Sequence, residues 1–77
     1  MKESYIAAIE RFEKLLKTVP DYKNQEKVLL ALGIAYKKAG QRDKSEETFK
    51  HLLEKYPNSP LTTEAKKELS SLQAVKK

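Results

Sequence analysis

The chain repeats itself at a displacement of 37 residues, and that repeat limits its fold more than any other feature. Phe12 and Phe49 stand at this spacing, and so do Pro20 and Pro57. The same shift lays small Ala8 on small Ser45, Glu10 on Glu47, Leu15 on Leu52 and Leu16 on Leu53. Carried further, it lays Val28 on Ala65 and Leu32 on Leu69. A fixed period of roughly 20–50 residues marks stacked units, none of which buries its apolar face alone.

The unit is helical. Tyr5, Ala8, Ile9, Phe12, Leu15, Leu16 and Val19 step by three or four, which draws one apolar stripe along a first helix. Ser4 is its expected N-cap and Pro20 its expected stop. A second helix is predicted over about 24–39, ending at Gly40, a residue that readily turns left-handed. Val28 to Tyr36 are nine successive residues without a charge. A helix apolar on nearly every side is normally enclosed by others, so the second helix is expected between the first and third, at the centre of the domain. The third helix carries Ser45, Thr48, Phe49, Leu52, Leu53 and Tyr56 on one face and ends before Pro57. Ser59-Pro60 announces a fourth, an N-cap followed by proline at the first helical position. Its inner edge is Leu61, Ala65, Leu69 and Leu72, and its end is expected to fray from Ala74. Leu32, Gly33, Tyr36, Phe49 and Leu52 are the predicted common core. Nothing alternates with period two, so no strand competes.

Leu29, Leu32, Gly33, Tyr36, Ser45, Phe49 and Pro57 together resemble the tetratricopeptide repeat: a large residue, leucine, glycine and tyrosine, then a small residue, an aromatic and a proline. Leu29 stands where many members have tryptophan and Ser45 where alanine is usual. The resemblance implies an all-α fold of antiparallel helical hairpins, stacked as a short right-handed solenoid of four helices. It also implies one domain over 1–77 with a full repeat at about 24–57. In its register the chain opens on the second helix of one hairpin and closes on the first helix of another. It is therefore expected to be a fragment of a longer array or to complete itself with a second copy. The loop Tyr56-Pro57-Asn58-Ser59-Pro60 lengthens the period, which resembles the bacterial cell-envelope subset: the Tol-Pal-associated coordinator and the outer-membrane assembly lipoprotein. That likeness implies a periplasmic location, with the cytoplasm as the alternative.

Composition narrows the chemistry. With no cysteine there is no disulfide, thiolate metal site or cysteine nucleophile. No apolar run reaches the ~20 residues of a membrane span, and Met1–Tyr5 shows no apolar stretch of a leader. The charge of +5 is spread along the chain. Glu10/Lys14, Glu13/Lys17, Glu46/Lys50 and Lys50/Glu54 have the spacing that supports solvated helices, and no basic stripe interleaved with aromatics appears. His51, the one histidine, lies among charged neighbours on a polar face. Asp43 suits the start of the third helix, and Ser70-Ser71 has no histidine base within reach. The sequence therefore predicts no enzyme, no metal, no cofactor and no nucleic acid as a partner.

Protein or peptide binding is the function that the resemblance implies, through the concave face made by the second and fourth helices. Lys27, Leu30, Ile34, Lys37 and Lys38 map to that face, with Glu64, Lys67 and Ser71 opposite. An apolar strip rimmed by lysines suits a partner with apolar anchors and some acidic residues. Ile34 stands where the family's carboxylate clamp has asparagine, so capture of a terminal carboxylate is not expected. A second expected surface is self-association through Tyr5, Ile9, Phe12 and Leu16 of the first helix, giving a homodimer. Two other classes stay open. Ala39-Gly40 resembles the turn of a DNA-binding helix-turn-helix, and the module could act purely in oligomerisation.

Overall fold

The computed structural model describes residues 2–19 and 23–75, side chains excepted at 2, 3, 74 and 75. Four helices follow one another: α1 (Lys2–Thr18), α2 (Gln25–Lys38), α3 (Arg42–Lys55) and α4 (Thr62–Val75). There is no strand among the described residues. Each helix packs on the next, with α2 held between α1 and α3 and α4 laid against α3. The fold is all-α, with antiparallel hairpins stacked side by side.

The α2–α3 turn is built by hydrogen bonds that glycine makes possible. Gly40 has φ 86°, a conformation that costs a residue with a Cβ. Its N–H donates to the Lys37 carbonyl at 3.1 Å, and the Gln41 N–H donates to the Tyr36 carbonyl at 2.8 Å. These two bonds are the Schellman pattern, which satisfies helix-end carbonyls while reversing the chain. Three residues therefore suffice to bring α3 back along α2. Asp43 lies in the first turn of α3, where its charge favours the helix N-terminus.

Helix ends differ from expectation at three points. Ser4 lies inside α1, which has already begun at Lys2, so it is not the N-cap. Pro20 lies outside the described residues; the last turn of α1 ends at Thr18, whose hydroxyl donates back to the Lys14 carbonyl. Helix α4 begins at Thr62, two residues later than Ser59-Pro60 suggests. Ser59 Oγ still accepts the Leu61 N–H at 3.2 Å. The backbone first makes tight turns, with the Thr62 N–H on the Ser59 carbonyl, before α-helical bonding starts. Ala74 and Val75 remain helical, and Lys76 and Lys77 lie outside the described residues.

The core is divided by α2. On one side Leu29 joins Phe49, Leu52, Ala65, Leu69 and Leu72. On the other, Leu32, Ala35 and Tyr36 meet Ile9, with Phe12 and Leu16 packed alongside. All five expected core residues are buried, but not in one cluster. Leu32 and Tyr36 lie with Ile9 of α1, while Phe49 and Leu52 lie with Leu29 of α2 and Ala65, Leu69 and Leu72 of α4. A helix between two neighbours must share its side chains between them.

The tightest point lies between the halves. Phe49, Leu52 and Ser45 are wholly buried. The Phe49 ring lies directly over Gly33, and a Cβ at residue 33 would stand 2.5 Å from Phe49 Cε1. Beside it, Ser45 Oγ donates to the Gly33 carbonyl at 2.7 Å. A small residue and a glycine let α2 and α3 approach, and the hydroxyl is satisfied at the point of closest contact.

Candidate functional site

The face shared by α2 and α4 combines a fixed ion pair with partly exposed apolar side chains. Leu30 and Ile34 lie one turn apart on α2, neither buried nor fully exposed. Both pack against the cluster formed by α2, α3 and α4. Each is therefore partly covered and partly open. Lys27 at the start of α2 is exposed, as are Lys67 and Ser71 on α4.

Two lysines of this set already have partners. Lys37 Nζ donates to Glu68 Oε1 at 2.8 Å. This links α2 to α4 across the face, with both side chains still reached by solvent. Such a pair is worth little to stability, roughly 0–1 kcal/mol, so an incoming carboxylate can compete for Lys37 at small cost. Lys38 Nζ lies 6.0 Å from the centre of the Tyr5 ring, which turns it toward α1 and away from the strip. Glu68 is the residue that sequence reasoning missed. It follows Glu64 by one helical turn, and that was the available signal.

Other cross-helix bonds brace the site without belonging to it. Gln25 is buried, and its Oε1 accepts from Lys55 Nζ at 2.7 Å and from the Tyr56 hydroxyl. The start of α2 is thereby pinned to the end of α3. The Tyr36 hydroxyl donates to the Glu13 carboxylate, tying α2 to α1. Burial, this hydrogen bond and the charges of Glu13 and Glu47 push the Tyr36 phenol up to about 12.

A pH dependence follows. Between pH ~10, where an unfolded tyrosine ionises, and about 12, the unfolded chain loses a proton that the folded chain keeps. Stability from this contact is complete below ~10 and is lost as pH rises toward 12. Thermal melts of wild type and Tyr36→Phe should converge over that window, because the variant has no phenol to ionise there. A constant difference between the two across the window would show that folding does not raise the phenol.

Of the residues expected to self-associate, Ile9 is taken up by the core, and Tyr5, Phe12 and Leu16 are partly covered. Phe12 and Leu16 pack on the cluster of Leu32, Ala35 and Tyr36. His51 is exposed and borders a shallow recess with Leu29, Leu32, Glu47 and Thr48. Among the described residues no group of three or more histidines and carboxylates could hold a metal ion. No described helix is long and apolar enough to cross a membrane.

Antiparallel helices stacked in order, with a sequence that repeats along the chain, define an all-α helical-repeat fold. Residues 27–59, most of α2 and all of α3, match the family model of the tetratricopeptide repeat. Such repeats generally act in protein–protein interaction and are typically non-catalytic. No curated protein shows significant similarity to this chain, and neither does any solved structure.

Proposed function

We propose that this protein binds a protein or peptide segment on the α2–α4 face, engaging apolar anchors through Leu30 and Ile34 and acidic side chains through the surrounding lysines. The observation that carries this reading is the half-exposed Leu30–Ile34 pair beside Lys27 and Lys37. Two apolar side chains one turn apart and left partly open beside lysines form a contiguous strip that an apolar anchor can cover. The Lys37–Glu68 pair adds a device for selectivity. It keeps the lysine ordered and yields it to a ligand carboxylate, because Glu68 can return to water.

The polar loop from Tyr56 to Pro60 supports placing this chain with the cell-envelope group of tetratricopeptide proteins, and hence in the periplasm. Fractionation of the source cell tests that placement directly.

Leu30→Asp tests the binding face. The side chain is only partly covered, so the variant is expected to keep its helical circular dichroism while losing the partners that the wild type enriches from the source cell. Lys27→Glu with Lys67→Glu alters only exposed positions and should weaken the same interactions, more strongly at low salt. A folded Leu30→Asp protein that enriches an unchanged set of partners removes this face from consideration.

A further inference from the structure

Lys27, Leu30, Ile34 and Lys37 follow one another at steps of three and four, so they share one face of α2. At 1.5 Å per residue the two lysines stand about 15 Å apart along the helix, with the apolar pair between them. Their electrostatic states differ. Lys27 is exposed and makes no ion pair with any described residue, and the same holds for Lys67 on α4. Lys37 is held across the face by Glu68 at 2.8 Å, with the two side chains 36% and 20% exposed.

Packing, more than the pair itself, sets Glu68 there. Ala65 and Leu72, one turn to either side of it, are buried, and so is Leu69 beside it. That edge of α4 is thereby fixed against α3. Lys37 follows the buried Tyr36 and stands one turn from Gly33, which lies under the Phe49 ring. Both backbones are anchored on α3, so the pair opens by side-chain rotation. A freed Glu68 carboxylate then stays beside the face, one turn from Glu64.

A ligand carboxylate therefore gains differently at the two kinds of lysine. At Lys27 or Lys67 it makes a new ion pair. At Lys37 it makes one only by breaking another, carboxylate exchanged for carboxylate, and it then meets the displaced Glu68, where like charges cost affinity. Left closed, the pair is a neutral unit. We infer that Glu68 is a specificity-determining residue of the binding face proposed above, on which this inference rests. By neutralising Lys37 it confines the recognition of acidic side chains to Lys27 and Lys67. A neutral residue is accepted at Lys37 as readily as an acidic one. Lys38 does not take over that role, because it lies over Tyr5 of α1.

The probes are two end-blocked peptides, X-Ala-Leu-Ala-Leu-Ala-X with X either glutamate or glutamine, titrated into the full 77-residue chain. Alternate side chains of an extended peptide share one side, which lets both leucines meet Leu30 and Ile34. NMR shifts of those two residues report occupancy, and the ratio of the two affinities reports how strongly acid is selected. Wild type is expected to prefer glutamate by about two- to fivefold. Salt should weaken that preference, and Lys27→Met with Lys67→Met should remove it. Glu68→Gln should enlarge the ratio by about a further two- to fivefold, and Lys37→Met should shrink it by a similar factor. Both changes together should restore the wild-type ratio, because the pair and its double replacement are equally neutral. A wild-type ratio above that of the double variant would overturn the inference, since Lys37 would then select acid despite Glu68. So would a ratio that Glu68→Gln leaves unchanged. If neither peptide moves Leu30 and Ile34 at millimolar concentration, the face itself falls and the inference with it.

Discussion

Phe49→Ala is expected to cost about 3–5 kcal/mol, the range for deleting a core aromatic. The ring is wholly buried and fills the space between Gly33 of α2 and the leucines of α3 and α4. Because α2 and α3 are joined by a three-residue turn and a buried hydroxyl, they cannot collapse onto the void without losing the Ser45–Gly33 bond. For a domain of this size each kcal/mol lowers the melting temperature by about 4–8 °C, so the midpoint should fall by at least about 12 °C. Small domains are stable by only ~5–15 kcal/mol, and the variant should be partly unfolded well below the wild-type midpoint. Phe12→Ala is the internal control, since it deletes the same side chain at the same place in the repeat. Its ring is half-exposed, and the loss should be nearer 1–2 kcal/mol. Equal losses at the two positions would mean that α1 and α3 are packed alike, which their different burial contradicts.

That contrast also shows how far the sequence could be read. The displacement of 37 residues located both aromatics and made them equivalent, and the four helices followed from period and punctuation. Gly40 was legible because the αL conformation is a local property of the backbone. The start of α4 was less so, since Ser59-Pro60 permits either an immediate helix or the two tight turns that precede it. Ser4 failed as a cap because a serine preceding an apolar stripe can also sit within the first turns.

Side-chain partnerships across helices were the least legible. Lys37 meets Glu68 from 31 positions away, and Tyr36 meets Glu13 from 23. Such pairs depend on crossing angle and rotamer, which helical periodicity does not set. Lys38 makes the same point: one residue beyond Lys37, its side chain is 100° further round the helix and lies over Tyr5 of α1. The strip of Leu30 and Ile34 could be named in advance, because residues four apart share a face. Its half-covered state could not, because that depends on how closely α4 approaches.

Gly33→Ala should destabilise the domain by about 1–3 kcal/mol, against the direction that helix propensity alone predicts. Alanine is favoured over glycine in a helix interior by ~1 kcal/mol, and Gly33 lies mid-helix without a positive φ. Packing opposes that gain. The added Cβ would stand 2.5, 2.7 and 2.8 Å from Cε1, Cζ and Cδ1 of Phe49. The obstacle is the edge of a rigid ring that is itself wholly buried, so it cannot swing into solvent. Separating the helices instead would stretch the Ser45–Gly33 bond, now 2.7 Å. Overpacking of this kind costs about 1–3 kcal/mol, occasionally more, enough to outweigh the propensity. The decisive measurement is a double-mutant cycle by urea unfolding. In the Phe49→Ala background the clash is gone, so Gly33→Ala should become stabilising by up to about 1 kcal/mol. The coupling between the two positions would then be on the order of 2–4 kcal/mol, where independent sites agree to within ~0.5. Simple additivity would mean that Phe49 does not lie over Gly33, and the register of the α2–α3 hairpin would have to be abandoned.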